Sequence, residues 1–137
     1  MIRPICTDLE FLSQKCIEAG PEDKIIAMDM LETYNADRDR IIALSSNMIG
    51  YNKRIILIDN GYQNLIMLNP RYVKRTNMYA TVETSICHPY KKLVRRFDYV
   101  EVEYQNLDMS KERKSFKTFR AQLVQQMMEN LDGMKVN

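Results

Sequence analysis

The feature that most constrains this chain is a change of hydrophobic period that occurs twice. Ile25, Ile26, Met28, Leu31 and Tyr34 recur at helical spacing to about Asn35. From Arg54 to Tyr104 the period shortens to two and β-branched residues accumulate. Helical spacing then returns in Phe116, Phe119, Leu123, Met127 and Leu131, which reads as a core stripe. Strands grouped in the middle, with helices at either end rather than between them, predict an α+β fold. The 137 residues suit a single domain, 1–137, with one core.

Local signals bound the elements. Thr7 or Asp8 is placed to cap a short helix carrying Leu9, Phe11 and Leu12. Gly20-Pro21-Glu22-Asp23 reads as a break followed by a helix start, with acids at the positive end of the helix dipole. The stretch Arg54 to Asp59 is a strand ending at the Asn60-Gly61 turn, and Leu65 to Leu68 is a second, stopped by Asn69-Pro70. Ala80 to Cys87 reads as a third, and Tyr99 to Tyr104 alternates cleanly enough to predict one wet face. A loop rich in Ser and Lys over 108–115 leads to the final helix, which Gly133 stops.

Composition excludes several classes of function. Twenty basic and 18 acidic residues leave a net charge of only +2, so no nucleic-acid footprint is expected. The basic run Lys91-Lys92-Leu93-Val94-Arg95-Arg96 reads as a solvated strand face or turn. No apolar stretch approaches the roughly 20 residues of a membrane span, and no secretory h-region follows Met1, so neither membrane nor export is expected. Cys6, Cys16 and Cys87 are odd in number and widely spaced, which predicts buried reduced thiols in a cytoplasmic protein. Ten methionines and no tryptophan suggest a loosely constrained core.

Three segments, in order and on suitable elements, carry a resemblance. Ala43-Leu44-Ser45-Ser46-Asn47-Met48 precedes Ile49-Gly50 and a strand; Glu83-Thr84-Ser85-Ile86-Cys87 precedes His88-Pro89; Gln126-Met127-Met128-Glu129-Asn130 runs into Leu131-Asp132-Gly133 on the last helix. They resemble the three signature motifs of the peptide deformylases: G-x-G-L-A-A-x-Q, then E-G-C-L-S, then H-E-x-x-H running into L-D-G. Leu68-Asn69-Pro70 and the stretch Arg96 to Tyr104 also look like the family. The likeness spans nearly the whole chain, which stops four residues after Gly133, without any longer C-terminal extension. It implies the deformylase fold, with mixed or antiparallel strands packed around the C-terminal helix and an N-terminal helix.

The resemblance also implies what the working residues would be. Members of that family remove the formyl group from the N-terminal methionine of new bacterial chains. A divalent iron, or nickel or zinc in its place, is held by the Cys of the second motif and both His of the third. The Glu beside the first His moves protons, and the Gln of the first motif steadies the oxyanion. Here the ligand positions fall on Ser85, Gln126 and Asn130, the Glu position on Met127 and the Gln position on Met48. The expectation is therefore a family member without metal or cofactor and without hydrolysis. Cys87 shares a strand face with position 85, but His88, the only histidine, would point the other way, so neither a rebuilt metal site nor a Cys–His nucleophile is expected.

Gln126 and Asn130 lie four apart on one helix face. They and Ser85 are expected to form a neutral polar cluster, directly or through a water; the alternative is a shifted backbone with these side chains in solvent. Glu83, mainly structural in the family, is expected to pair with Arg95 or Arg96. A peptide groove is expected along Ile42, Ala43 and Leu44 as an edge strand, with Ile49 and Ile86 lining an apolar pocket. A (formyl-)methionyl peptide is the implied ligand. The competing expectations are an active divergent deformylase and a module that binds an unidentified protein partner through its outer sheet face or the basic run.

Overall fold

The computed structural model describes residues 1–135. Five strands lie side by side in chain order: β1 (Ala43–Ser45), β2 (Ile55–Asp59), β3 (Asn64–Ser85), β4 (His88–Gln105) and β5 (Lys111–Lys117). All four pairings between neighbours are antiparallel, so among these strands the sheet is not mixed. An isolated parallel bridge between Ile17 and Lys53 ties the N-terminal segment alongside. The helices are α1 (Leu9–Leu12), α2 (Lys24–Ala36) and α3 (Thr118–Leu131). The α+β architecture expected from the period changes is the one observed.

Asp8, not Thr7, caps α1: its Oδ1 accepts the N–H groups of Glu10 and Phe11 at 3.1 and 3.3 Å. Pro21–Asp23 form a 3₁₀ turn that feeds α2, and the Asp23 carboxylate accepts the Gly20 N–H at 2.8 Å. Ile55, Ile56, Leu57 and Ile58 of β2 are all buried, which explains their unbroken apolar run. Across the sheet, α3 buries Ala121, Leu123, Val124, Met127, Met128 and Leu131. The helix ends at Gly133 with φ 103°, where a Cβ would come within 2.4 Å of the Ser13 carbonyl oxygen. The N-terminal segment crosses at that point, with Met134 N–H donating to Leu12 O at 2.7 Å and Cys16 N–H to Leu131 O at 2.8 Å.

Four sequence expectations need correction. Asn69-Pro70 does not stop a strand, because β3 continues to Ser85. Asn69 takes φ 52° and its amide bonds Ala19 N–H, Ala19 O and the Gln105 side chain. The β3–β4 register shifts between Leu68 and Arg71, and Pro is accepted in such a bulge. Second, 111–117 is a strand and not a loop, so Phe116 belongs to β5; the chain turns into α3 at Thr118, a β-branched residue at φ 51°. Third, Phe119 is 58% exposed, outside the core stripe its spacing predicts; Ile25, which fits the helical spacing of α2, is 68% exposed as well. Fourth, the strand expected to run to Cys87 ends at Ser85, and Cys87 sits in the β3–β4 turn. The run Lys91 to Arg96 is a strand in which Val94 and Arg96 are buried.

Candidate functional site

The three segments that resemble motifs converge where the β3–β4 turn, the 3₁₀ turn after β1 (Ser46–Ile49) and α3 meet. Ser85, Gln126 and Asn130 line one pocket of about 30 Å³, room for a water or two. They do not hydrogen-bond one another, so the direct form of the expected cluster is absent. Each is committed elsewhere. Ser85 Oγ accepts the Cys87 N–H at 3.1 Å, Gln126 Nε2 donates to Thr84 O at 3.0 Å, and Asn130 Nδ2 donates to Ser45 Oγ at 3.2 Å.

The last of these bonds belongs to a closed ring. Ser45 Oγ donates to Asn47 Oδ1 at 2.7 Å, and Asn47 Nδ2 donates to the Asn130 backbone O at 2.8 Å. Ser45 and Asn47 are almost wholly buried, so these bonds satisfy groups that would otherwise be costly to keep from water. The ring ties the segment after β1 to α3, and sequence reasoning missed it. A signal was present: Ser45 stands where the deformylase motif has Ala, so a hydroxyl accompanies the amide at Asn130. Met48 faces the same spot, its sulfur 3.3 Å from the Ser45 N–H and 3.9 Å from Asn130 Nδ2. Met127 Sδ lies 3.9 Å from that same amide nitrogen.

Asn130→Ala and Ser45→Ala are each expected to cost about 1–3 kcal/mol in urea denaturation. The double variant should fall short of the sum by about 0.5–1.5 kcal/mol, since both remove one bond. Strict additivity would show that the ring does not couple the two segments.

Beside the ring lies a buried ion network. Of the two arginines expected to pair with Glu83, Arg96 is the one: it donates Nε and Nη2 to the carboxylate at 3.0 and 2.7 Å. Its Nη1 reaches Glu129 Oε2 on α3 at 2.5 Å, and Lys92 Nζ holds Glu129 Oε1 at 3.2 Å. Burial would raise the Glu129 carboxyl, but Arg96 and Lys92 outweigh it and hold it below the ordinary range. Gln122 Nε2 adds a bond to Glu83 Oε2 at 3.0 Å. Next to the network, the edge of β4 that faces away from β3 has no partner strand before Tyr99, and the buried Gln125 amide takes over there by exchanging two 2.8 Å bonds with the Phe97 backbone.

Cys87 is buried, and desolvation pushes its thiol up to about 11, which makes it a poor ligand or nucleophile at neutral pH. His88 is depressed below its usual value, by burial first and by Lys92 second. Cys16 is also buried, whereas Cys6 is only half-buried, against the expectation for all three thiols. Among the described residues, no group of three or more His, Cys, Asp or Glu side chains is placed to hold a metal ion.

A second pocket, of about 160 Å³, opens beside the first and shares Ser85 and Gln126 with it. Ile42, Ala43, Ile86, Leu123 and Met127 supply its apolar walls, so three of the five expected groove residues are brought together. Leu44 and Ile49 are not among the lining; both are packed in the core, 0% and 1% exposed. β1 is an edge strand, paired only with β2, as the groove expectation requires.

The sequence model of the polypeptide deformylase family matches residues 2–136. A peptide deformylase of Clostridium beijerinckii is 32% identical over 134 residues, covering 98% of this chain and 98% of the relative. One of Dictyoglomus thermophilum is 25% identical, covering 93% and 83%. Among solved structures, a class I type b peptide deformylase of Acinetobacter baumannii bound to Met-Ala-Ser superposes with a TM-score of 0.86 at 18% identity, covering 99% and 97%. That of Thermotoga maritima gives 0.85 at 17%, covering 98% and 94%. The structural likeness carries the fold, and the sequence match over the whole length carries the kinship: this chain belongs to the peptide deformylase family.

Proposed function

We propose that this chain is a deformylase-family domain that has exchanged its metal centre for a neutral hydrogen-bonded one and keeps a groove for methionyl peptides. The observation that carries this reading is the donor set at the three ligand positions. Ser85, Gln126 and Asn130 offer a hydroxyl and two neutral amides, and each is engaged by the surrounding chain. Iron, nickel and zinc sites in proteins are built from thiolate, imidazole and carboxylate, so these residues do not fit the family's metal. The nearest carboxylates, Glu83 and Glu129, are held by Arg96 and Lys92. Met127 offers no proton acceptor and Met48 no donor for an oxyanion. The groove reading rests on the free edge of β1 and on the apolar pocket beside it. A cytoplasmic location is part of the proposal; no helix among the described residues is long and apolar enough to cross a membrane.

One observation favours a second reading, catalysis itself. A relative named peptide deformylase is 32% identical over 98% of its own length, and kinship at that level supports a shared activity. Three measurements on the purified chain separate the readings. Incubated with ferrous iron, nickel or zinc and desalted, it is expected to retain no stoichiometric metal. It is also expected to release no formate from formyl-Met-Ala-Ser, while Met-Ala-Ser shifts the amide resonances of Ala43 and Ile86 in NMR titration. Stoichiometric metal together with formate release would establish the catalytic reading instead.

A further inference from the structure

The apolar pocket does not end at Ile42. Ile41, Ile42 and Leu123 are shared with a larger neighbouring cavity of about 410 Å³ that runs past the start of α3. Its mouth carries Phe119, 58% exposed, and three cations, Arg38, Lys117 and Arg120. Arg40 adds a fourth at the apolar pocket. Two carboxylates answer them: Asp37 holds Arg40 at 2.9 Å and Asp59 lies 3.6 Å from Arg38. Arg120 donates Nε to the Asp59 backbone O at 3.2 Å, which neutralises nothing. Among the described residues, Lys117 and Arg120 therefore have no carboxylate partner. In a chain whose net charge is only +2, this end of the groove is a local concentration of positive charge.

The free edge of β1 gives a peptide its track. Ser45 N–H bonds the Met48 sulfur at 3.3 Å and so is turned away from β2. In an antiparallel pair such outward groups recur every second residue, so Ala43 presents its N–H and C=O to the groove side. An extended peptide advances roughly 3.3 Å per residue, so a segment seated by its first side chain in the apolar pocket delivers the next few residues to the basic cavity.

We propose that the groove selects peptides in which an N-terminal apolar residue is followed within a few positions by acidic residues, with Lys117 and Arg120 reading the acids. This rests on the groove reading given above and names the class of ligand it takes. The selectivity is electrostatic and solvent-exposed, so it weakens as salt rises.

The test titrates the labelled chain at low salt with Met-Ala-Asp-Glu, Met-Ala-Ser-Ser and Met-Ala-Lys-Arg, each amidated at its C-terminus so that only the side chains differ in charge. The acidic peptide is expected to bind on the order of tenfold more tightly than the basic one, with the neutral one between. Lys117→Glu with Arg120→Glu should reverse that order. The double variant places acids at the N-terminal end of α3, where they favour the helix and offset the lost Arg120 bond to the Asp59 backbone O, and urea denaturation checks that it folds like the parent. The neutral peptide should bind parent and variant alike. If the three peptides bind equally, the charge reading is overturned and the groove reading stands. If none binds, both fall. A single-stranded oligonucleotide that binds through Lys117 and Arg120 more tightly than the acidic peptide overturns the proposal, as does concentration-dependent dimerisation that the acidic peptide leaves intact.

Discussion

Arg96→Ala is expected to remove about 3–5 kcal/mol of stability, the largest loss of any single substitution near the site. The reason is the state of the partner left behind. Glu83 and Arg96 side chains are 7% and 6% exposed, so Glu83 in the variant is a buried carboxylate without its cation. Gln122 alone remains on it, through the bond to Oε2. Breaking such a pair costs far more than the pair contributes, whereas replacing both ends by neutral groups of similar size is close to neutral. Glu83→Gln with Arg96→Met should therefore recover most of the loss, although Glu129 loses a partner in both variants. Urea denaturation at neutral pH measures both; a loss below about 1 kcal/mol for Arg96→Ala would mean that water reaches Glu83. The pH dependence follows from Glu129. Its folded-state carboxyl is held below the ordinary value of 4.5, so its contribution is complete above that pH and fades as the pH falls through the depressed value. With Arg96 gone, that part of the acid limb should flatten.

What the sequence revealed of the fold follows from how local each determinant is. The strands Arg54 to Asp59 and Tyr99 to Tyr104 were legible because their signals lie within the segment: a β-branched run with a turn behind it, and a clean alternation. Pro70 was misread because its effect depends on a distant partner. The shift in register against β4, fixed by the Asn69 amide on Ala19 and Gln105, decides that the strand passes through. Phe116 fits the helical stripe by spacing alone, and pairing with Val100 across the sheet places it in β5 instead.

The candidate site divides in the same way. The pairing of Glu83 with Arg95 or Arg96 is what the family resemblance implies, and burial of position 96 but not 95 on β4 decides between the two. The ring of Ser45, Asn47 and Asn130 joins residues more than 80 apart, and neither end alone indicates the other. The family's groove implies Leu44 as part of its edge strand and Ile49 as part of its apolar pocket. Alternation turns Leu44 to the side opposite Ala43, so that Ala43, itself buried, reaches the pocket wall and Leu44 does not, and the 3₁₀ turn buries Ile49.

Ser85→Cys, Gln126→His and Asn130→His together are expected to raise zinc and cobalt affinity by at least about three orders of magnitude over the parent chain. The three positions already line one pocket, and the elements that carry them are fastened to one another by Arg96 between Glu83 and Glu129. What is missing for a metal is donor chemistry, not backbone. In the metal-free state the change should cost about 1–3 kcal/mol, because Asn130 no longer reaches Ser45 and Gln126 no longer reaches Thr84 O. Cobalt gives a direct readout: the triple variant should develop intense visible bands of a tetrahedral site and a thiolate charge-transfer band in the near ultraviolet, all removed by chelator. Ser85→Cys alone should show neither, since one ligand does not hold the ion. Failure of the triple variant would mean that the ring has drawn α3 out of the position a metal needs, and that the scaffold changed along with its ligands. A thiolate band in the parent chain would be more damaging still. If Cys87→Ser removed that band, Cys87 would be a ligand despite its turn position and raised thiol, and the neutral centre proposed above would have to be abandoned.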